Sequence, residues 1–185
     1  MILISEREMD VFECIEKRRS IRKYKNVPIK EEDLMKILKA GILAPSAGNI
    51  QPWEFIIVTN NDIKEKLCEA ALGQYWMMYA WVIIVVCAKE YESESVYGIR
   101  GKTLYCIQDT AAAIENMLLA ATALGYGSCW VGAFEEEEVR RILKIPQGVR
   151  PVALIPIGVP AERPMPRGRK DIFSVIHFES YKGSK

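Results

Sequence analysis

Residues Ala80–Ala88 read AWVIIVVCA, an unbroken apolar run rich in valine and isoleucine. A strand with one face in water alternates polar and apolar side chains, whereas a run without alternation needs cover on both faces. The segment is therefore expected to be a central strand with other layers packed above and below it. It is too short to cross a bilayer as a helix, which needs about 20 residues.

The longest periodic segment is Thr103–Gly125. Leu104, Ile107, Ala111, Ile114, Leu118 and Ala121 alternate spacings of three and four, the heptad stripe of a helix. Tyr105, Ala112, Ala113 and Leu119 make its other sides apolar too, so this helix is expected to be buried, either within one subunit or between two. Earlier, Asp10 and Glu13 have the spacing of a capping box, which opens a short amphipathic helix through Met9, Val11, Phe12 and Ile15. After a break at Pro28, Leu34, Ile37, Leu38 and Ile42 keep helical spacing until Ala44-Pro45. Residues 44–53 hold two prolines and a glycine and read as an ordered loop.

A strand is expected over 54–59, and a helix from Asn60, Asn61 or Asp62 to Leu72. A further helix over 135–143 has acids first and arginines later, as the helix dipole prefers, and a strand follows over 152–159. Segment 90–101 reads as polar, aromatic and irregular, a candidate mobile segment. Residues 161–170 read as irregular and 174–180 as a last strand. No repeat or linker divides the chain, so residues 1–185 are expected to form one domain. Helices and strands mix without regular βαβ alternation, which favours an α+β fold.

Half of the residues are apolar, 26% are charged, and the formal net charge is +1. That balance fits a soluble globular protein and lacks the basic excess of a nucleic-acid binder. Cys14, Cys68, Cys87, Cys106 and Cys129 are odd in number, widely spaced and form no C-x-x-C pair. A reducing cytosol suits them better than a disulfide framework or a zinc site. Residues Met1–Glu8 turn acidic too early for a signal peptide. A cytoplasmic protein without membrane association is the expectation.

Arg18-Arg19-Ser20-Ile21-Arg22 places three guanidinium groups and a hydroxyl in five positions. Guanidinium forks match phosphate oxygens, so a small phosphorylated ligand is one reading. Solvated charges ending a helix are the other. Gly125–Gly132 (GYGSCWVG) is a glycine-rich loop with a short strand, and Trp130 stands where a dinucleotide fingerprint needs its third glycine. The lone histidine, His177, has no neighbouring acid or nucleophile, and Glu135–Glu138 read as a solvated helix start. There is no G-x-S-x-G, Walker A or H-E-x-x-H pattern. An enzyme without an acid/base kit takes its reactivity from a cofactor.

Three stretches now stand in order: RRSIR at 18–22, APSAGNIQPW at 44–53 and GYGSCWVG at 125–132, followed by the arginine-bearing Pro166–Arg169. Together they resemble the nitroreductase family of flavin mononucleotide (FMN) oxidoreductases, from about Asp10 to the C-terminus. The resemblance implies an α+β fold with a central, mainly antiparallel sheet, and a homodimer whose long helix, Thr103–Gly125, lies at the interface. FMN is then expected in two pockets shared between the subunits. One subunit would supply Arg18, Arg19, Ser20 and Arg22, with Arg18, Arg167 and Arg169 on the phosphate. Ser20 and Arg22 would face the ribityl chain and pyrimidine edge.

Pro45, Ser46, Ala47 and Asn49 would come from the other subunit, with Gln51 bracing that loop or touching the flavin. Gln74 is placed near the flavin. Trp130, Val131 and Gly132 would line it, Val131 and Gly132 giving backbone N–H groups to N5 and O4. Three arginines suit a phosphate close to a dianion, each charge-assisted bond contributing about 1.5–3 kcal/mol. A nanomolar cofactor needs about 12 kcal/mol, so burial of the ring must supply the rest. The implied activity is transfer of hydride from NADH or NADPH to nitroaromatic, quinone or similar electron-poor acceptors by a ping-pong cycle. No protein residue would be catalytic, Arg22 would tune the flavin, and Glu90–Gly101 would be the lid. Dehalogenation, dehydrogenation, flavin cleavage and a non-catalytic flavin-binding module are the alternatives.

Overall fold

The computed structural model describes residues 9–183; Met1–Glu8, judged above for a signal peptide, lie outside the described residues. Four antiparallel strands form the sheet: β1 (Trp53–Val58), β2 (Val82–Lys89), β3 (Gly127–Ser128) and β4 (Val149–Gly158), in the order β1-β2-β4-β3. β2 is an interior strand, with no measurable exposure from Val82 to Ala88. Its side chains alternate between two cores. Ile83, Val85 and Cys87 pack with Leu67, Met77 and Val139, while Val82, Ile84 and Val86 pack with Ile37, Ile114, Met117 and Leu118. The apolar run thus reflects two helical layers, one on each face. The β2–β4 register slips between Val86 and Cys87, where Val152 is the extra residue.

Helices α3 (Asn61–Ala70) and α6 (Glu136–Leu143) cover one face, and α2 (Glu31–Ile42) and α5 (Cys106–Ala123) the other. Their starts follow local chemistry. Asn60 caps α3 by accepting the Ile63 N–H. Asp10 and Glu13 form a reciprocal capping box on α1 (Val11–Lys17). On α5, Ile114, Leu118 and Ala121 of the heptad stripe are buried against the sheet, whereas Ile107 and Ala111 stay half-buried. The C-terminal half of the stripe is therefore core. On α1 only Cys14 is buried, and Phe12 remains 79% exposed.

Two expectations are corrected. Residues Glu90–Arg100 form a helix, α4, rather than an irregular segment. Acids in its first turn suit the dipole, Lys89 and Lys102 pair with Glu92 and Glu94, and Tyr97 packs edge-on against Tyr105 at 5.2 Å. Irregularity is confined to Gly98 (φ 58°, ψ −148°) and to the π turn 101–105 that leads into α5. Residues 174–180 form no strand. A 3-10 turn, Ile172–Ser174, opens them, and His177 is exposed with its ring against Tyr181.

Candidate functional site

α1 ends on Arg18, beyond which the chain is extended. Ser20 forms a parallel bridge to Ser128, and the Ile21 N–H donates to the Ser128 carbonyl at 2.9 Å. Successive side chains of an extended segment point to opposite sides. Ile21 turns inward and is buried, while Ser20 and Arg22 face a cavity. Gly127 makes this possible, since a Cβ there would lie 2.9 Å from three Ile21 side-chain atoms.

The segment after β4 folds back over this stretch. Lys25 N–H donates to Val159 and Ala161 N–H to Lys23. The Glu162 carboxylate accepts the backbone N–H groups of Arg22 (2.6 Å) and Lys23 (3.1 Å). This staple, invisible to motif reading across 140 residues of sequence, carries Arg167 and Arg169 opposite Arg18 and Arg22. The resulting cavity of about 350 Å³ is lined by five arginines, 18, 19, 22, 167 and 169, with Ser20, Glu162, Pro164 and Met165.

The arginines are not equivalent. Arg18 Nε lies 3.6 Å from Glu115 on α5. Arg19 turns back to the carbonyls of Glu16 and Arg18, closing the end of α1. Arg22 stacks over the Trp76 ring at 5.6 Å. Among the described residues, Arg22, Arg167 and Arg169 have no acidic side chain within 4 Å. Among the described residues the cavity's one lining carboxylate, Glu162, is occupied by two backbone donors, so the lining carries an excess of positive charge. A phosphate dianion fits that lining, and the expected FMN phosphate site passes this test.

Pro45–Asn49 lies elsewhere. Ala47 N–H donates to Asp109 Oδ1 at 3.0 Å, and Gln51 N–H to Ser46 Oγ at 3.0 Å. Gln51 Nε2 also reaches Asn49 Oδ1 at 3.3 Å, so Gln51 braces the loop. Asp109 and Glu115, which hold the loop and Arg18 respectively, are six residues apart on α5. That separation is about 9 Å along the axis and about 120° around it. The lining of the protomer's own arginine cavity includes none of the loop's residues.

Gln74 is tied to the third group, its Nε2 donating to Ala133 at 3.1 Å. Trp130 is 41% exposed. Val131 bridges to Leu154, its N–H donating at 3.0 Å, so that amide already has its acceptor. Among the described residues, the Gly132 N–H has none. Burial pushes the Cys68 thiol up to about 11 and the Cys87 thiol to about 12. Cys129 is also raised by burial, less so for the Arg22 charge and a Ser20 hydrogen bond. These thiols stay protonated near neutrality and are poor nucleophiles. Among the described residues no group of three or more His, Cys, Asp or Glu could hold a metal ion, and no helix is long and apolar enough to cross a membrane.

Sequence reasoning missed Glu162, Met165 and Asp109 as members or supports of these groups. Nothing local marks them, because Glu162 and Asp109 act on backbone far away in the chain and Met165 enters only as a side chain lining the cavity.

The family model described as Nitroreductase family matches residues 15–76 and 69–159. A Methanothermobacter thermautotrophicus protein, named as a candidate NADH dehydrogenase/NAD(P)H nitroreductase, is 39% identical over 180 residues, covering 94% of this chain and 89% of that one. A nitroreductase family protein from Clostridium novyi NT superposes with a TM-score of 0.76 at 34% identity, over 95% of this chain and 97% of that one. The NADPH:FMN oxidoreductase from Vibrio harveyi, complexed with NAD+, gives a TM-score of 0.86 at 25% identity, over 95% and 79% of the two chains. With the family model spanning most of its length and a relative 39% identical over 94% of it, the chain belongs to the nitroreductase family.

Proposed function

We propose that this NAD(P)H-dependent oxidoreductase binds FMN with the phosphate in the arginine cavity, and that it works as a homodimer. The carrying observation is the charge of that cavity, in which five arginines face one carboxylate already accepting two backbone N–H groups. Arg18, Arg167 and Arg169 would hold the phosphate. Ser20 and Arg22 would meet the ribityl chain and pyrimidine edge, while Trp130, Val131 and the Gly132 N–H would line the ring beside Gln74.

When bound, FMN would supply the redox chemistry, accepting hydride from NADH or NADPH and passing electrons to a nitroaromatic, quinone or similar acceptor in a ping-pong cycle. The protein's part is to bind, orient and shield. Arg22, without an acidic partner among the described residues and stacked on Trp76, would put positive charge where negative charge develops on reduction. The Gly132 N–H can donate where the ring presents an acceptor, and a protein nucleophile is not required.

The homodimer is supported by two features. The lining of the protomer's arginine cavity includes none of the 45–49 loop, and a second copy could supply it. The apolar face of α1, with Val11, Phe12 and Ile15 more than half exposed, is not covered by the other described residues. The whole of 1–185 would act as one domain in the cytoplasm.

Purified protein should be yellow and should bleach anaerobically with NADH or NADPH. Protein that purifies colourless and stays so after FMN is added would refute the reading. A bound flavin that neither nicotinamide reduces would refute the reaction and leave only the binding.

A further inference from the structure

Asp109, in the first turn of α5, is 6% exposed. Its Oδ1 accepts the Ala47 N–H at 3.0 Å. Its Oδ2 is buried and has no hydrogen-bond partner among the described residues. A carboxylate left half-satisfied in the interior is a poor source of stability, since desolvation opposes its charge. Burial correspondingly raises its pKa. Its value to the molecule has to be sought in what it holds.

What it holds is a turn that local preference does not favour. Gly48, Asn49 and Gln51 all have φ of 56°, in the left-handed region, which costs non-glycine residues. Inside the loop, Ser46 Oγ and the Gln51 side chain stitch the turn together. From outside, the Tyr97 hydroxyl on α4 packs so closely that a Cβ on Gly48 would lie 2.5 Å from it. Asp109 is the loop's polar anchor on α5, and the only side chain among the described residues to hydrogen-bond the Ala47 amide.

We propose that Asp109 is a positioning residue of the cofactor site. Its carboxylate fixes the Ala47 N–H and with it the Gly48–Asn49 turn that presents Ser46, Ala47 and Asn49 toward the cofactor of the neighbouring copy. This inference rests on reading the site as an FMN pocket. An Asn at this position keeps an acceptor oxygen for Ala47, whereas Ala removes it and Glu displaces it by one methylene.

The test uses full-length apoprotein titrated with FMN, together with hydrogen exchange at the Ala47 amide. Asp109→Ala should weaken FMN about tenfold, as loss of one hydrogen bond to a charged group implies, and should speed Ala47 exchange. Asp109→Asn should restore both to within about threefold of wild type. That rescue is the signature of positioning rather than of charge or bulk packing. If Asp109→Ala does not fold, Asp109→Glu carries the same expectation of weakened FMN and faster exchange. Wild-type FMN affinity with slow Ala47 exchange in the Ala or Glu variant overturns the inference. Arg167→Ala, in the arginine cavity, is the control. If it weakens FMN while the Asp109 variants do not, the positioning role alone is wrong; if it too leaves FMN affinity unchanged, the pocket assignment has failed and this inference falls with it.

Discussion

Arg18→Ala separates phosphate capture from the other duties of that side chain. Arg18 sits at the end of α1, its side chain 25% exposed, with Nε 3.6 Å from a Glu115 carboxylate that is itself 48% exposed. A pair so open to solvent contributes about 0.2–1 kcal/mol. Losing it should lower the melting temperature of the apoprotein by no more than about 2–4 °C for a chain of this size. A charge-assisted bond to phosphate contributes more, about 1.5–3 kcal/mol. FMN affinity should therefore fall roughly 10- to 150-fold while the fold is barely disturbed.

Riboflavin supplies the control within the same experiment, because it carries the ring and ribityl chain without the phosphate. Fluorescence titration of apoprotein with each ligand should show the loss for FMN and less than about a twofold change for riboflavin, since no charge-assisted bond is lost. Raising the ionic strength from about 0.05 to 0.5 M should shrink the preference of the wild type for FMN over riboflavin, because screening acts on the charge term alone. Equal losses for both ligands would place Arg18 beside the ring or in the scaffold. No loss for FMN would remove Arg18 from the site altogether.

Three further outcomes follow from the same coordinates. Gly127→Ala should destabilise the protein by about 1–3 kcal/mol, as overpacking does, because the new methyl meets Ile21 at 2.9 Å; a melting temperature equal to wild type would contradict that contact. Burial holds the Asp109 carboxyl above its ordinary pKa, so its ionisation opposes folding. That cost is absent below the unfolded-state pKa and grows as pH rises through both values. Asp109→Asn should accordingly gain stability over wild type at pH 7 but not at pH 3, and an equal difference at both would show that the carboxyl is not strained by burial. Finally, dilution to monomer should release FMN, which sedimentation with flavin absorbance can follow; monomers that keep their flavin would refute a pocket completed by a second copy.

Local pattern was enough for much of the architecture. The unbroken apolar run at 80–88 became the strand covered on both faces, Asp10 caps its helix as its spacing to Glu13 predicted, and of the three candidate starts at 60–62 it is Asn60 that caps. These signals involve neighbours one to four residues apart, so they are written in contiguous sequence. The arginine motif is equally local, and the structure brings Arg18, Arg19 and Arg22 to one cavity with Arg167 and Arg169. Segment 90–101 misled because its serines, tyrosines and glycine are weak helix formers, while the ion pairs and the Tyr97–Tyr105 contact that support α4 lie partly beyond the window.

What only the tertiary structure decided is which groups meet. Glu162 stapling Arg22, Arg19 turning away to its own helix, Val131 giving its amide to Leu154, and Asp109 pinning Ala47 are all backbone or long-range contacts. No residue type at those positions foretells them, because a side chain's partner is fixed by where the packed sheet and helices bring distant backbone, and not by its own chemistry. The sequence holds the arginines in two separate stretches; the fold determined that they line one cavity.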